Sequence, residues 1–213
     1  MIPVPPPFES LDETNVSAAL RVGWAAMARL GEITYKKKDA AADKTVKRGD
    51  VTFQDGYAVL RLRHSKTDVE KEGVEILLAA TSDHLCPVEA LKTLFRKDPQ
   101  PDSAPLFRLR HEGFPKAYLI DKIRLRLRAA GIDPASYSGH SLRKGAAQEA
   151  ADKGCSEQEI QLLGRWKSNA VRLYYTIPTS QRLVFSKRLQ SNAARPPRTG
   201  IPVMGDIEYG AES

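Results

Sequence analysis

The chain has 213 residues, 41% of them hydrophobic, which is enough to bury one core without disulfide staples. A formal net charge of +7 favours a polyanionic partner, and no apolar run is long enough for a membrane-spanning helix. Cys86 and Cys155, with no secretory signal and no metal-ligand spacing, read as reduced thiols in an intracellular protein.

In chain order, Met1 to Phe8 is too rich in proline for helix or inner strand and reads as an extended lead-in or a linker. The boundaries expected are a lead-in over 1–11, one folded unit over 12–191 and a flexible tail over 192–213. From Leu11 to Leu30 the apolar positions Val16, Leu20, Trp24, Met27 and Leu30 step by three or four, which predicts one helix with one buried stripe. Near its end Arg29 and Glu32 stand a turn apart, as an exposed ion pair or as a charged head facing a cleft.

Lys36 to Gly49 reads as a solvated loop. Val51–Phe53, Tyr57–Leu62 and Val74–Leu78 read as three short strands, the first two joined by the turn pair Asp55-Gly56. The polar loop between the second and third strands carries Arg63 and Lys66. A lysine there is ordinarily solvated, yet a hairpin would hold its root steady while the ammonium reached into a groove.

Pro87 starts a helix over Val88–Arg96, and a further helix is predicted from Pro115 to Ala130, stopped by Gly131. A helix from about Ser141 places His140 and Arg143 together at its positive end, where anions bind. Gly154 ends it, and Ser156-Glu-Gln-Glu159 is a capping box for the next helix, whose Ile160, Leu162 and Leu163 are expected to pack inward before Gly164 turns the chain. Ser168 or Asn169 can cap a short helix reaching Tyr174 and Tyr175, and a last amphipathic helix follows over Thr179–Gln190. The sum is a mainly α fold with a small three-stranded antiparallel sheet.

No phosphate-binding loop, dinucleotide turn or metal-ligand cluster occurs, so no cofactor is expected. A set of Arg, Lys, His, Arg, Trp and Tyr is rich in positive charge and hydrogen-bond donors, which suits a phosphate substrate, and it holds one type of candidate nucleophile, a phenol.

Arg29 with Glu32, Ser65-Lys-Thr67, Gly139-His-Ser-Leu-Arg143, Leu163-Gly-Arg-Trp166 and Tyr175 occur in the order found in the tyrosine recombinases, and residues 12–190 resemble their catalytic domain. The Cre-like phage branch and Crypton-like mobile elements are nearer in pattern than Xer-type resolvases, because Lys144 and Trp166 stand where many bacterial members have histidine. The resemblance implies that Arg29 and Arg143 clamp the non-bridging oxygens of a scissile phosphate and that Lys66 protonates the departing 5′ oxygen. It implies that His140 assists proton transfer, that Trp166 donates its indole N–H, and that Tyr175, by its spacing from Trp166, is the nucleophile, with Glu32 orienting Arg29. Arg63, Lys144, Arg165 and Lys167 are candidate DNA contacts.

The implied partner is double-stranded DNA, with a homo-tetramer on DNA, a monomer free in solution, and no membrane. The implied location is intracellular and DNA-associated, in the nucleus of a eukaryote or the cytoplasm and nucleoid of a prokaryote. Two other classes fit the same residues: a DNA-binding protein derived from such an enzyme that no longer cuts, and a type IB topoisomerase-like enzyme.

Overall fold

The computed structural model describes residues 10–36, 45–63, 73–110 and 113–166. Three of the helices start at a local capping signal. Ser10 caps α1 (Leu11–Ala25) by accepting from the Glu13 N–H at 3.2 Å. Pro87 opens α3 (Pro87–Lys97) behind a Cys86 cap whose sulfur accepts from the Glu89 N–H. Ser156 and Glu159 form the expected reciprocal box at α6 (Glu157–Gly164). Between them lie α4 (Lys116–Ala129) and α5 (Ser141–Asp152).

The sheet is antiparallel in the order β1 (Val51–Gln54), β2 (Tyr57–Leu62), β3 (Val74–Ala79). Leu60 pairs with Val51 on one side and Ile76 on the other, and burial alternates along β2 and β3 with the period of a half-buried strand. Its inner face, Ala58, Leu60, Leu62, Ile76 and Leu78, joins a core with Val16 and Val22 of α1, Leu91 and Leu94 of α3, and Leu106, Phe107 and Phe114 from the connections. α1 packs against both α3 and α5.

The helix expected over Leu11–Leu30 is broken. α1 ends at Ala25, Met27 takes φ +45, and the chain restarts as a four-residue turn, α2 (Leu30–Ile33), with Arg29 at its N-cap. The break is a Schellman closure, because the Ala28 N–H bonds the Gly23 carbonyl at 2.8 Å and the Met27 N–H bonds Trp24 at 3.0 Å. The buried face of α1 is also made of smaller residues than expected. Ala18, Ala19, Val22 and Gly23 are buried while Trp24 is 37% exposed. A methyl at Gly23 would stand 2.9 Å from Leu142, so close approach of α5 requires the bare backbone.

The loop expected to be solvated up to Gly49 is instead core at its end. Val46 and Arg48 are buried, and Arg48 donates to Asp98 at 3.1 Å. Asp98 also accepts from Arg108 and from Asn15 on α1, so a charged residue in a polar stretch becomes a strut between three segments. Burial drives the Asp98 carboxyl upward, but hydrogen bonds from Arg108 and Asn15 and the charges of Arg108 and Arg48 outweigh it and hold it below its ordinary value.

On α6 only Ile160 of the three expected core residues is buried. Leu162 and Leu163 face outward, while Ile160 packs with Ala146, Ala147 and Ala151 of α5 and with Met27 and Trp166 among the described residues. The lead-in through residue 9, the hairpin loop with Lys66, and everything from Lys167 on, including Tyr174, Tyr175, the helix over Thr179–Gln190 and the tail, lie outside the described residues.

Candidate active site

The site is built around the elbow between α1 and α2. Arg143, on the inner face of α5, is 1% exposed and donates to two main-chain oxygens, Met27 O at the elbow and Gly164 O at the end of α6. The Trp166 ring covers it, with the guanidinium carbon 3.9 Å from the ring centroid. Gly164 makes that stacking possible. A Cβ there would lie 1.5 Å from the indole, so the ring occupies the space of a missing side chain.

Arg165 reaches back to the same elbow. It donates to Ala26 O at 2.7 Å and to Glu32 Oε2 at 3.1 Å. Glu32, nearly buried, accepts from the Arg29 N–H and from the Arg29 guanidinium, both at 2.9 Å. One carboxylate thus fixes two arginines, and Arg29 keeps the more accessible head of the two. Burial draws the Arg165 guanidinium below its ordinary value, opposed by Glu32 and reinforced by Arg29.

Four helices close with a left-handed residue at the cap or just after it. Two use glycine in the ordinary way, Gly131 after α4 and Gly154 after α5. The other two use Met27 (φ +45) and Arg165 (φ +59), and these adjoin or carry the carbonyls that hold Arg143. A left-handed side-chain-bearing residue costs roughly 1–2 kcal/mol. The turn expected at Gly164 is therefore made by Arg165, while Gly164 stays helical and gives room for Trp166.

The sequence-expected residues divide into groups. Arg29, Glu32, Arg143 and Trp166 are brought together, and Arg165, expected as an outward DNA contact, joins them inside. His140 is the exposed N-cap residue of α5, so it and Arg143 diverge, one into solvent and one into the core, instead of standing side by side. Lys144 is exposed. Arg63, expected as a DNA contact, is ion-paired through Nε with both oxygens of Asp50 at 2.8 and 2.9 Å, which ties the end of β2 to the turn before β1. Lys66, Lys167 and Tyr175 are outside the described residues. Sequence reasoning gave Arg165 no structural part, although its place directly after Gly164 at a helix end was a signal for it.

No protein-family model matches the chain. A curated protein, the integrase/recombinase xerD homolog of Selenomonas ruminantium, is 27% identical over 168 residues, covering 75% of this chain and 46% of its own length. That match runs through a chain whose recombinase motifs occur in order and whose arginines meet in space. The chain is similar in sequence to this integrase/recombinase.

Solved structures share the fold. The XerH site-specific recombinase bound to difH in a pre-cleavage complex gives a TM-score of 0.60 at 14% identity, over 87% of this chain and 49% of that one. The XerA recombinase gives 0.57 at 19% identity, over 89% and 67%. The Tn1549 transposon integrase in complex with circular intermediate DNA gives 0.51 at 12% identity, over 87% and 64%. The chain spans about half the length of the curated relative it matches. The Xer and transposon-integrase names of these relatives do not single out the Cre-like or Crypton-like branch.

Proposed function

We propose that this chain is the catalytic domain of a site-specific DNA recombinase or integrase that cuts and rejoins strands through a 3′-phosphotyrosyl intermediate on Tyr175. The observation that carries the reading is the convergence on one elbow of Arg29 and Glu32 with Arg143 and Trp166, which lie more than a hundred residues further along the chain. Two arginines held by a shared framework suit the planar, bidentate recognition of a phosphodiester, for which lysine is a poor substitute.

In the step itself the Tyr175 phenol oxygen forms a bond to phosphorus and the bond from phosphorus to the 5′ oxygen breaks. His140 assists removal of the phenolic proton, Lys66 delivers a proton to the departing oxygen, and Arg29 and Arg143 stabilise charge on the non-bridging oxygens. A free 5′ hydroxyl reverses the same exchange, because the phosphoester bond is conserved in the enzyme link. Arg143 lies sealed beneath Trp166, so engagement of a phosphate requires the indole to leave the guanidinium face. The partner is duplex DNA, bound as a tetramer, and the setting is intracellular. Among the described residues no helix is long and apolar enough to cross a membrane.

Denaturing gels after incubation with a pool of nicked duplexes of randomised core sequence test the reading. The chain is expected to form a covalent DNA adduct that Tyr174→Phe keeps and Tyr175→Phe loses. An adduct that survives Tyr175→Phe overturns the nucleophile, and salt-dependent binding with no adduct from any duplex replaces the enzyme reading with a DNA-binding one.

A further inference from the structure

α4 presents Lys116, Ile120 and Arg124 at successive intervals of four, which puts them in one stripe along the helix. The whole stripe lies against the loop that leads into α5. Arg124 donates from Nε and from its terminal amino group to Tyr137 O at 3.3 and 3.2 Å. A Cβ built on Gly139 would stand 3.7 Å from Ile120 Cδ1, 2.8 Å from Lys116 Nζ and 2.4 Å from Lys116 Cε. The lysine stem therefore crosses the face of Gly139, in space a side chain would take, and its ammonium comes to rest beside the residue preceding His140.

Lys116 is exposed and makes no ion pair with any described residue. Arg128 and Lys144 share that lack of an ion pair among the described residues, whereas four arginines are committed elsewhere. Arg63 is tied to Asp50, Arg165 to Glu32, Arg126 to Glu13 and Arg124 to a carbonyl. A flexible lysine in open solvent samples many rotamers, whereas this one is laid along a glycine whose loop is clasped by Ile120 and Arg124 from the same helix. Its ammonium stands over Gly139, the residue before His140.

Resting on the recombinase reading, we infer that Lys116 is a DNA-contact residue that binds a backbone phosphate beside His140 and so fixes the strand against the catalytic elbow. Gly139 is the bare position that lets its stem pass. Arg124 acts through Tyr137 as a positioning residue for the same loop.

The test is salt-titrated binding of the full chain, Lys116→Met and Lys116→Arg to a short mixed-sequence duplex. Each neutralised phosphate contributes about 0.9 to the slope of log K against log salt. Lys116→Met is expected to lower that slope by about 0.9, and Lys116→Arg to keep it, with the melting temperature unchanged in both. A Lys116→Met slope equal to that of the parent overturns this inference while leaving the recombinase reading intact. A parent that shows no salt-dependent binding overturns both.

Discussion

Replacing Gly164 by alanine sets two effects of opposite sign against each other. Gly164 has ordinary helical geometry at the end of α6, so on helix propensity alone alanine should stabilise by about 1 kcal/mol. The new methyl, however, would lie 1.5 and 2.1 Å from two ring carbons of Trp166, and the ring must leave. A tryptophan buries 150–250 Å², worth roughly 4–6 kcal/mol if wholly exposed at about 25 cal/mol per Å². Exposing about half of it, and losing a desolvated stacking on Arg143 of about 2 kcal/mol, gives a cost of about 4 kcal/mol. The net expectation is a loss of about 3 kcal/mol. Urea unfolding followed by far-ultraviolet circular dichroism measures it, and in a Trp24→Phe background the emission of Trp166 reports whether the ring has moved. A protein stabilised by about 1 kcal/mol with unchanged emission would refute the claim that Gly164 exists to seat the indole.

Asp98→Ala should destabilise by about 3–5 kcal/mol, because it leaves the buried Arg48 cation without its partner; thermal or urea unfolding checks this. Since the Asp98 carboxyl lies below its ordinary value in the folded chain, its contribution is complete above about pH 4 and is lost as pH falls through the lower folded value. The stability gap between the parent and Asp98→Asn should therefore shrink on acidification below about pH 4, and a gap that widens there would reverse the sign of the argument. Glu32→Gln should cost about 1–3 kcal/mol and slow adduct formation more than it weakens DNA binding, because it frees Arg29 and Arg165 together. Equal losses in both assays would mean that Glu32 supports the fold without orienting Arg29.

What local chemistry governs was legible in the chain. Alternation of side chains along Tyr57–Leu62 and Val74–Ala79 requires a half-buried sheet, and Ser10, Cys86 ahead of Pro87, and Ser156 each mark a helix start through a bond closed within three residues. The order of Arg29, His140, Arg143 and Trp166 was equally plain, since motif spacing is a property of the chain. The fate of the charges was not. Arg48 looks like a solvated residue until Asp98 arrives from α3, and Arg165 looks like a surface contact until Glu32 and Ala26 turn it inward.

The same distinction holds at the elbow. Periodicity carried the first helix through to Leu30, and only the tertiary structure broke it at Met27, where the freed carbonyl accepts from Arg143 across 116 positions of sequence. Apart from that break, sequence by itself determined where the helices and strands lie and which chemical groups are present, because capping and periodicity act within a few residues. Tertiary structure alone decided which of those groups face inward, because burying a guanidinium requires carbonyls and an aromatic face from segments far apart in the chain.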